Sequence, residues 1–198
     1  MSNYILYNYK DSPDDFYERL EINIKLNEAF KKSRIKTIIY SFPMRYIPLN
    51  SKNRNKVDTG NIYWNKRYLR AMQVILNVTK GPVMPGAEFF YQAYGENAEE
   101  FKMILAMPDS FIRNRLVDNW REKKTKRSRQ MPYVNQWIDA YKKLNKSEKE
   151  ELINILSTDN KLKIIEEHKK YSNKSLKKLL KYHIDEESII GKYINDAK

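Results

Sequence analysis

Cysteine is absent from this 198-residue chain. That excludes disulfides, a cysteine-held zinc site and a thiolate-bound iron–sulfur cluster on this polypeptide. Glycine is scarce, at five residues, which argues against a glycine-rich phosphate loop and for helices joined by short links. The two histidines, His168 and His183, lie in lysine-rich sequence. No H-E-x-x-H, G-x-S-x-G, Walker or calcium-loop pattern occurs. Carboxylates cluster at Asp14-Asp15, Glu99-Glu100, Glu150-Glu151 and Asp185-Glu186-Glu187. Each cluster falls at a predicted helix start, where dipole and capping account for it, so no acid–base pair emerges. No apolar run approaches the roughly 20 residues of a membrane span. The opening MSNYILYNYKDSP lacks a basic n-region and has a short apolar core, so it does not read as a signal peptide. A cytoplasmic protein with no membrane association is expected.

What is present suffices for a core. The chain is 41% hydrophobic, with fifteen tyrosines and three tryptophans, and its length suits one domain or slightly more. The formal charge is +13, with the excess thickening toward the C-terminal half. Lysine, asparagine and isoleucine are all abundant, a bias that AT-rich coding produces without a polyanionic partner. Charge alone therefore does not specify nucleic acid.

The N-terminal third reads as β-α-β. Tyr4 to Tyr9 forms a short strand. Ser12-Pro13-Asp14-Asp15 opens a helix, with Ser as N-cap, Pro at the first position and acids at the positive end. Phe16, Leu20, Asn23, Ile24, Asn27 and Phe30 follow at helical spacing, an apolar face with two amides set into it. A second strand, buried, is predicted from about Ile35 through Tyr40. A crossover helix between two strands makes them parallel. From Asn61 onward the pattern is helical: 65–79 ending at Gly81-Pro82, 87–94 ended by Gly95, 97–107 halted by Pro108, and 109–123 with Phe111, Ile112, Leu116 and Trp120 inward. Pro132 begins a helix through Tyr141, Ser147–Glu150 caps another to Leu156, and further helices fall near 160–171, 173–182 and 185–195. The fold class is mostly α with a short N-terminal β-α-β unit. Residues 1–50 hold that unit, 51–120 a helical extension and 121–198 a basic helical tail.

Three stretches carry chemistry. Residues 121–130 contain six cations against one acid. Lys123, Lys124, Lys126, Arg127 and Arg129 either neutralise phosphates or form a solvated, self-repelling hinge. Aromatics interleave with cations at Tyr63–Tyr68 and gather at Phe89–Tyr91, as base-stacking platforms or as core. The third stretch is RIKTIIYSFPMRYIPLN, residues 34–50. Phe42-Pro43-Met44-Arg45-Tyr46 is expected to leave the strand's carboxyl end, where ligands meet parallel sheets, with Pro43 ending the pairing. Phe42 and Met44 offer apolar surface to a ring system, and Arg45 a fork for a carboxylate or phosphate. Packing beneath the following helices is the other reading.

Tyr4–Tyr9, Asp11–Leu20 and Ile38–Pro48 together resemble the last strand–helix–strand of a radical S-adenosylmethionine enzyme barrel. Trp64–Leu69 through Gly81–Phe90 is similar to the helical extension that follows that barrel. The resemblance covers roughly residues 3–115. It implies backbone and apolar contacts near the adenosine from Asn8, Ser41, Phe42, Pro43 and Met44; Arg45 joins them through its own chemistry. It also implies S-adenosylmethionine and a [4Fe–4S] cluster in the complete enzyme. The family's C-x-x-x-C-x-x-C loop and most of its barrel are missing, so no activity is expected from this chain alone. Two parallel strands need neighbours, and an apolar edge at Tyr4, Leu6, Ile38 and Tyr40 is expected to be incompletely covered. The expected role is therefore the C-terminal portion, or a subunit, of a radical enzyme whose barrel another chain supplies. The alternative is a stand-alone basic helical nucleic-acid-binding module.

Overall fold

A computed structural model describes residues 1–47, 63–121 and 132–189, with the side chains of 117–121 excepted. The basic residues Lys123, Lys124, Lys126, Arg127 and Arg129 lie outside the described residues, as do Pro48 and the Trp120 side chain. The chain forms two compact units, Met1–Leu105 and Ala106–Lys198. The first contains the β-α-β stretch and most of the expected extension; the second contains the tail.

The first unit begins with strand β1 (Ser2–Tyr7), helix α1 (Pro13–Lys32) and strand β2 (Tyr40–Arg45). The two strands pair in parallel, from Ser2 opposite Tyr40 to Tyr7 opposite Arg45. Helix α1 starts where its residues require. Ser12 is the N-cap, its side chain accepts from the Asp15 N–H, and the Asp15 carboxylate accepts from the Ser12 N–H at 2.8 Å. Phe16, Leu20 and Ile24 are buried, so the apolar stripe faces the sheet as its spacing predicts.

The Ser12 hydrogen bonds hold the Asp15 carboxyl below its ordinary value. A depressed carboxyl stabilises the fold above its unfolded pKa, and that contribution is lost as pH falls through the folded value. Ser12→Ala is expected to cost about 1 kcal/mol at pH 7, as N-cap serines do. The difference in melting temperature from the natural protein should narrow as the pH is lowered from 5 to 3; a constant gap would refute the coupling.

The second strand departs from the sequence expectation. Ile35–Ile39 form no strand, and Ile35 and Ile38 are exposed. The pairing strand is Tyr40-Ser-Phe-Pro-Met-Arg45, the residues expected to leave it. The β-branched run suggested a strand, but helix α1 extends to Lys32 and a left-handed Arg34 (φ 56°) follows. The chain joins β1 only where Met1 reaches it: the Met1 amine donates to the Ile38 carbonyl and the Tyr40 N–H to the Met1 carbonyl, both at 2.9 Å. Pro43 does not end the pairing; it stands opposite Ile5 within it.

Helices α2 (Lys66–Thr79), α3 (Ala87–Tyr94) and α4 (Ala98–Ala106) complete the first unit. Asn65 caps α2, accepting from the Tyr68 N–H, and left-handed Lys80 ends it just before Gly81. Gly95, at φ +92°, ends α3, and a Cβ there would sit 3.0 Å from the Glu100 side chain. An aromatic core joins the elements. The Phe16 ring lies 5.3 Å from Tyr7, 5.7 Å from Trp64 and 6.1 Å from Phe101. The Tyr17 hydroxyl donates to the Gly95 carbonyl at 2.8 Å, tying α1 to the end of α3.

The second unit contains α5 (Asp109–Arg121), α6 (Pro132–Lys142), α7 (Lys146–Leu156), α8 (Lys161–Lys170) and α9 (Lys174–Ile184). Phe111 packs against Tyr133 and Tyr182, and Leu152, Leu156, Leu176, Leu179 and Leu180 are buried with Trp137. The cap of α7 is Asn145 with Glu148, two residues before the Ser147 box expected. Asn145 accepts from the Glu148 N–H while Glu148 accepts from the Asn145 N–H, which satisfies two donors that a start at Ser147 would leave open. Among the described residues no helix is long and apolar enough to cross a membrane.

Candidate site at the two-stranded parallel sheet

In a parallel strand pair, alternate residues aim their N–H and C=O groups at the neighbour and the rest aim outward. Tyr40 and Tyr46 donate to β1, to Met1 and Tyr7 respectively, so Ile39, Ser41 and Pro43 face outward. Each of the three is blunted. The Asn27 amide, projecting from α1, accepts from the Ile39 N–H at 2.8 Å and donates to its carbonyl at 2.9 Å. The Ser41 carbonyl accepts from the Val83 N–H at 2.8 Å in an isolated antiparallel bridge. Pro43 has no N–H to leave unpaired. The outer edge of β1 is different: Ser2, Tyr4 and Leu6 face away from β2, and among the described residues no third strand pairs with them.

The faces differ as well. Ile5, Tyr7 and Ser41 are buried on the side covered by α1, where the Asn23 amide donates to the Ser41 hydroxyl at 2.8 Å. On the other side Tyr4 is 66% exposed, Leu6 43%, Tyr40 38% and Met44 46%. The Tyr4 and Phe42 rings lie 5.5 Å apart there. A strand pair normally covers both faces when parallel; here one face is open and apolar.

The expected contact residues therefore separate. Phe42 and Met44 share the open face. Ser41 and Pro43 face α1, and the Ser41 hydroxyl and carbonyl are both engaged. Asn8 and Arg45 stand at the carboxyl ends of the two strands.

At those ends the polar chemistry is unusual. Asn8 is 4% exposed in a left-handed conformation (φ 66°), and its Oδ1 makes no hydrogen bond. Arg45 Nε, Trp64 Nε1 and the Tyr94 hydroxyl are also buried without a hydrogen-bond partner. Trp64 and Tyr94 are fully buried. Tyr7 sits among them: its ring is 5.2 Å from Trp64 and Arg45 is its cross-strand partner. Burial pushes the Tyr7 phenol up to about 12, the Arg45 charge acting in the opposite sense. Burial likewise raises Tyr94, with Tyr7 adding to the shift. Native interiors leave few polar atoms unpaired, so this concentration marks the place.

Sequence reading selected Asn8 and Arg45 but not Tyr94, and placed Trp64 in core or a stacking platform. The signal for Trp64 was its position before the Asn65 cap, which seats it at the start of α2 beside β1. For an iron–sulfur cluster the residues do not fit, because the chain has no cysteine. Among the described residues no group of three or more His, Asp or Glu side chains is placed to hold a metal ion. No protein-family model, curated protein or solved structure matches this chain.

Proposed function

We propose that this chain supplies the terminal strand–helix–strand and helical extension of a radical S-adenosylmethionine enzyme, its remaining strands coming from polypeptide outside residues 1–198. The observation carrying this reading is the asymmetry of the sheet. The outward positions Ile39, Ser41 and Pro43, in and just before β2, are each blunted by a partner or by a missing N–H, whereas among the described residues no third strand lies beside Ser2, Tyr4 and Leu6 of β1. Exposed strand edges are normally blunted, so one blunted and one open edge suits a last strand and its inner neighbour. New strands then add beside β1. Helix α1 covers the outside, and Tyr4, Leu6, Phe42 and Met44 line the inside. This chain contributes no cluster ligand, so the cluster loop belongs to the added polypeptide, and adenosine contacts from this side fall to Phe42 and Met44.

Co-expression with the polypeptide encoded immediately upstream tests the reading. The expected result is a stable complex that carries iron and reductively cleaves S-adenosylmethionine, with neither chain sufficient alone. Tyr4→Pro removes an outward N–H on β1 as Pro43 does on β2, and should reduce complex recovery at least about tenfold, since main-chain hydrogen bonds carry strand addition. An upstream region without a C-x-x-x-C-x-x-C loop, or a complex indifferent to Tyr4→Pro, defeats the reading. Tight, salt-sensitive nucleic-acid binding by the chain alone would favour the basic module instead.

A further inference from the structure

The buried polar atoms at the strand ends come from four separate segments. Asn8 follows β1, Arg45 ends β2, Trp64 precedes α2 and Tyr94 ends α3. Their capacities are uneven. Trp64 Nε1 and Arg45 Nε can only donate, Tyr94 can do either, and Asn8 Oδ1 can only accept. An indole N–H and a guanidinium N–H ask for an oxyanion, and the lone acceptor asks for a donor on the same ligand.

Ordered water can bridge such groups, but Trp64 Nε1, the Tyr94 hydroxyl and Asn8 Oδ1 are buried with no protein partner, and an anion would in addition pair the Arg45 charge. Several acids of this unit are committed elsewhere: Asp11 to Arg19, Asp14 and Glu99 to Lys102, and Glu21 to Lys25. Asp15 binds Ser12, and Glu100 accepts from the Glu96 N–H. Among the described residues no ion pair is formed by Arg45, and its strand partner Tyr7 lies against Trp64.

We infer that the carboxyl ends of β1 and β2 bind a small oxyanion that also carries a hydrogen-bond donor, with Arg45 and Trp64 on the oxyanion and Asn8 on the donor. Hydroxycarboxylates, amino carboxylates and monohydrogen phosphate share this chemistry. The inference concerns residues 1–105 alone and does not depend on the proposed assembly.

Indole N–H resonances in nitrogen-15 spectra of the full chain test it, with the Trp64 signal identified by its loss in Trp64→Phe. Glycolate, glycine, acetate and inorganic phosphate are titrated against chloride at matched ionic strength. The expected result is a saturable shift of the Trp64 resonance with glycolate, glycine or phosphate, and binding at least about tenfold weaker for Arg45→Met, as loss of a charge-assisted bond predicts. The carboxylate and phosphate arms distinguish the two ligand sources. Asn8→Gly suits the left-handed backbone, so it should fold and erase the preference for glycolate over acetate. If Arg45→Met fails to fold, the Asn8→Gly comparison decides alone. The inference is overturned if no probe gives a saturable shift beyond chloride, if Arg45→Met binds as well as the natural chain, or if Asn8→Gly keeps the preference.

Discussion

Replacing Asn27 by leucine is expected to destabilise the β1–α1–β2 segment by about 2–6 kcal/mol, because two buried backbone groups lose their partner at about 1–3 kcal/mol each. Leucine is close to asparagine in size and keeps the helix, so the loss is assigned to hydrogen bonding. Ile39 is 7% exposed, which leaves little access for replacement water. The measurement is the urea dependence of hydrogen exchange at α1 amides, where the midpoint should fall without a change in slope. The same substitution reopens the outer edge of β2 at Ile39. Increased self-association on sedimentation should accompany the lost stability, since unpaired edges recruit other strands. A loss below about 1 kcal/mol, within the range of one ordinary hydrogen bond, would mean that the amide closes nothing that water cannot.

Asn27 also illustrates what the sequence made legible. Two asparagines within an apolar helical face at Asn23 and Asn27 are visible as an interruption of period. What they bind was not, because their partners, Ser41 and Ile39, are set by tertiary placement. The caps were readable where one local motif competed with nothing, as at Ser12 and at Gly95. They failed where two candidates lay within two residues, as at Asn145 and Ser147. The second strand was misplaced for a related reason. Ile35–Ile39 carries β-branched residues, and β-propensity reports fit to a half-buried pleated surface rather than backbone preference. The surface offered by β1 runs only from Ser2 to Tyr7, so the register fell on the next six residues, proline included.

The placement of Pro43 explains why the candidate site was partly readable. A proline in a pairing strand is tolerated on an outward position at an edge, and such a position fixes which neighbours share its face. Ser41, Pro43 and Arg45 then lie on one side, with Phe42 and Met44 on the other. The chemical reasoning for Phe42, Met44 and Arg45 needed only residue type. The division between faces needed the register, and Tyr94 could enter only once the fold brought α3 beside Tyr7. No local pattern distinguishes that tyrosine from its neighbours in Phe89-Phe90-Tyr91.

A loss of stability on a similar scale should follow Phe16→Ala. Its ring is fully buried and lies against Tyr7, Trp64 and Phe101, so it joins β1, the start of α2 and α4 through one side chain. Removing a buried phenylalanine costs about 3–5 kcal/mol, through lost transfer energy and an unfilled cavity. The upper part of that range is expected, because aromatic neighbours from three elements cannot all move inward together. Trp64 should then gain solvent, shifting its fluorescence to the red in a Trp120→Phe, Trp137→Phe background. Hydrogen exchange should quicken across α1 and β1 while the amides of α6 and α9, which belong to the second compact unit, keep their protection. Phe16→Leu retains most of the volume and should lose less than half as much, as volume-conserving changes do. Equal losses for alanine and leucine would show that ring contacts, rather than filled space, dominate this node. An unshifted Trp64 emission would separate Phe16 from the strand ends and remove it as their support.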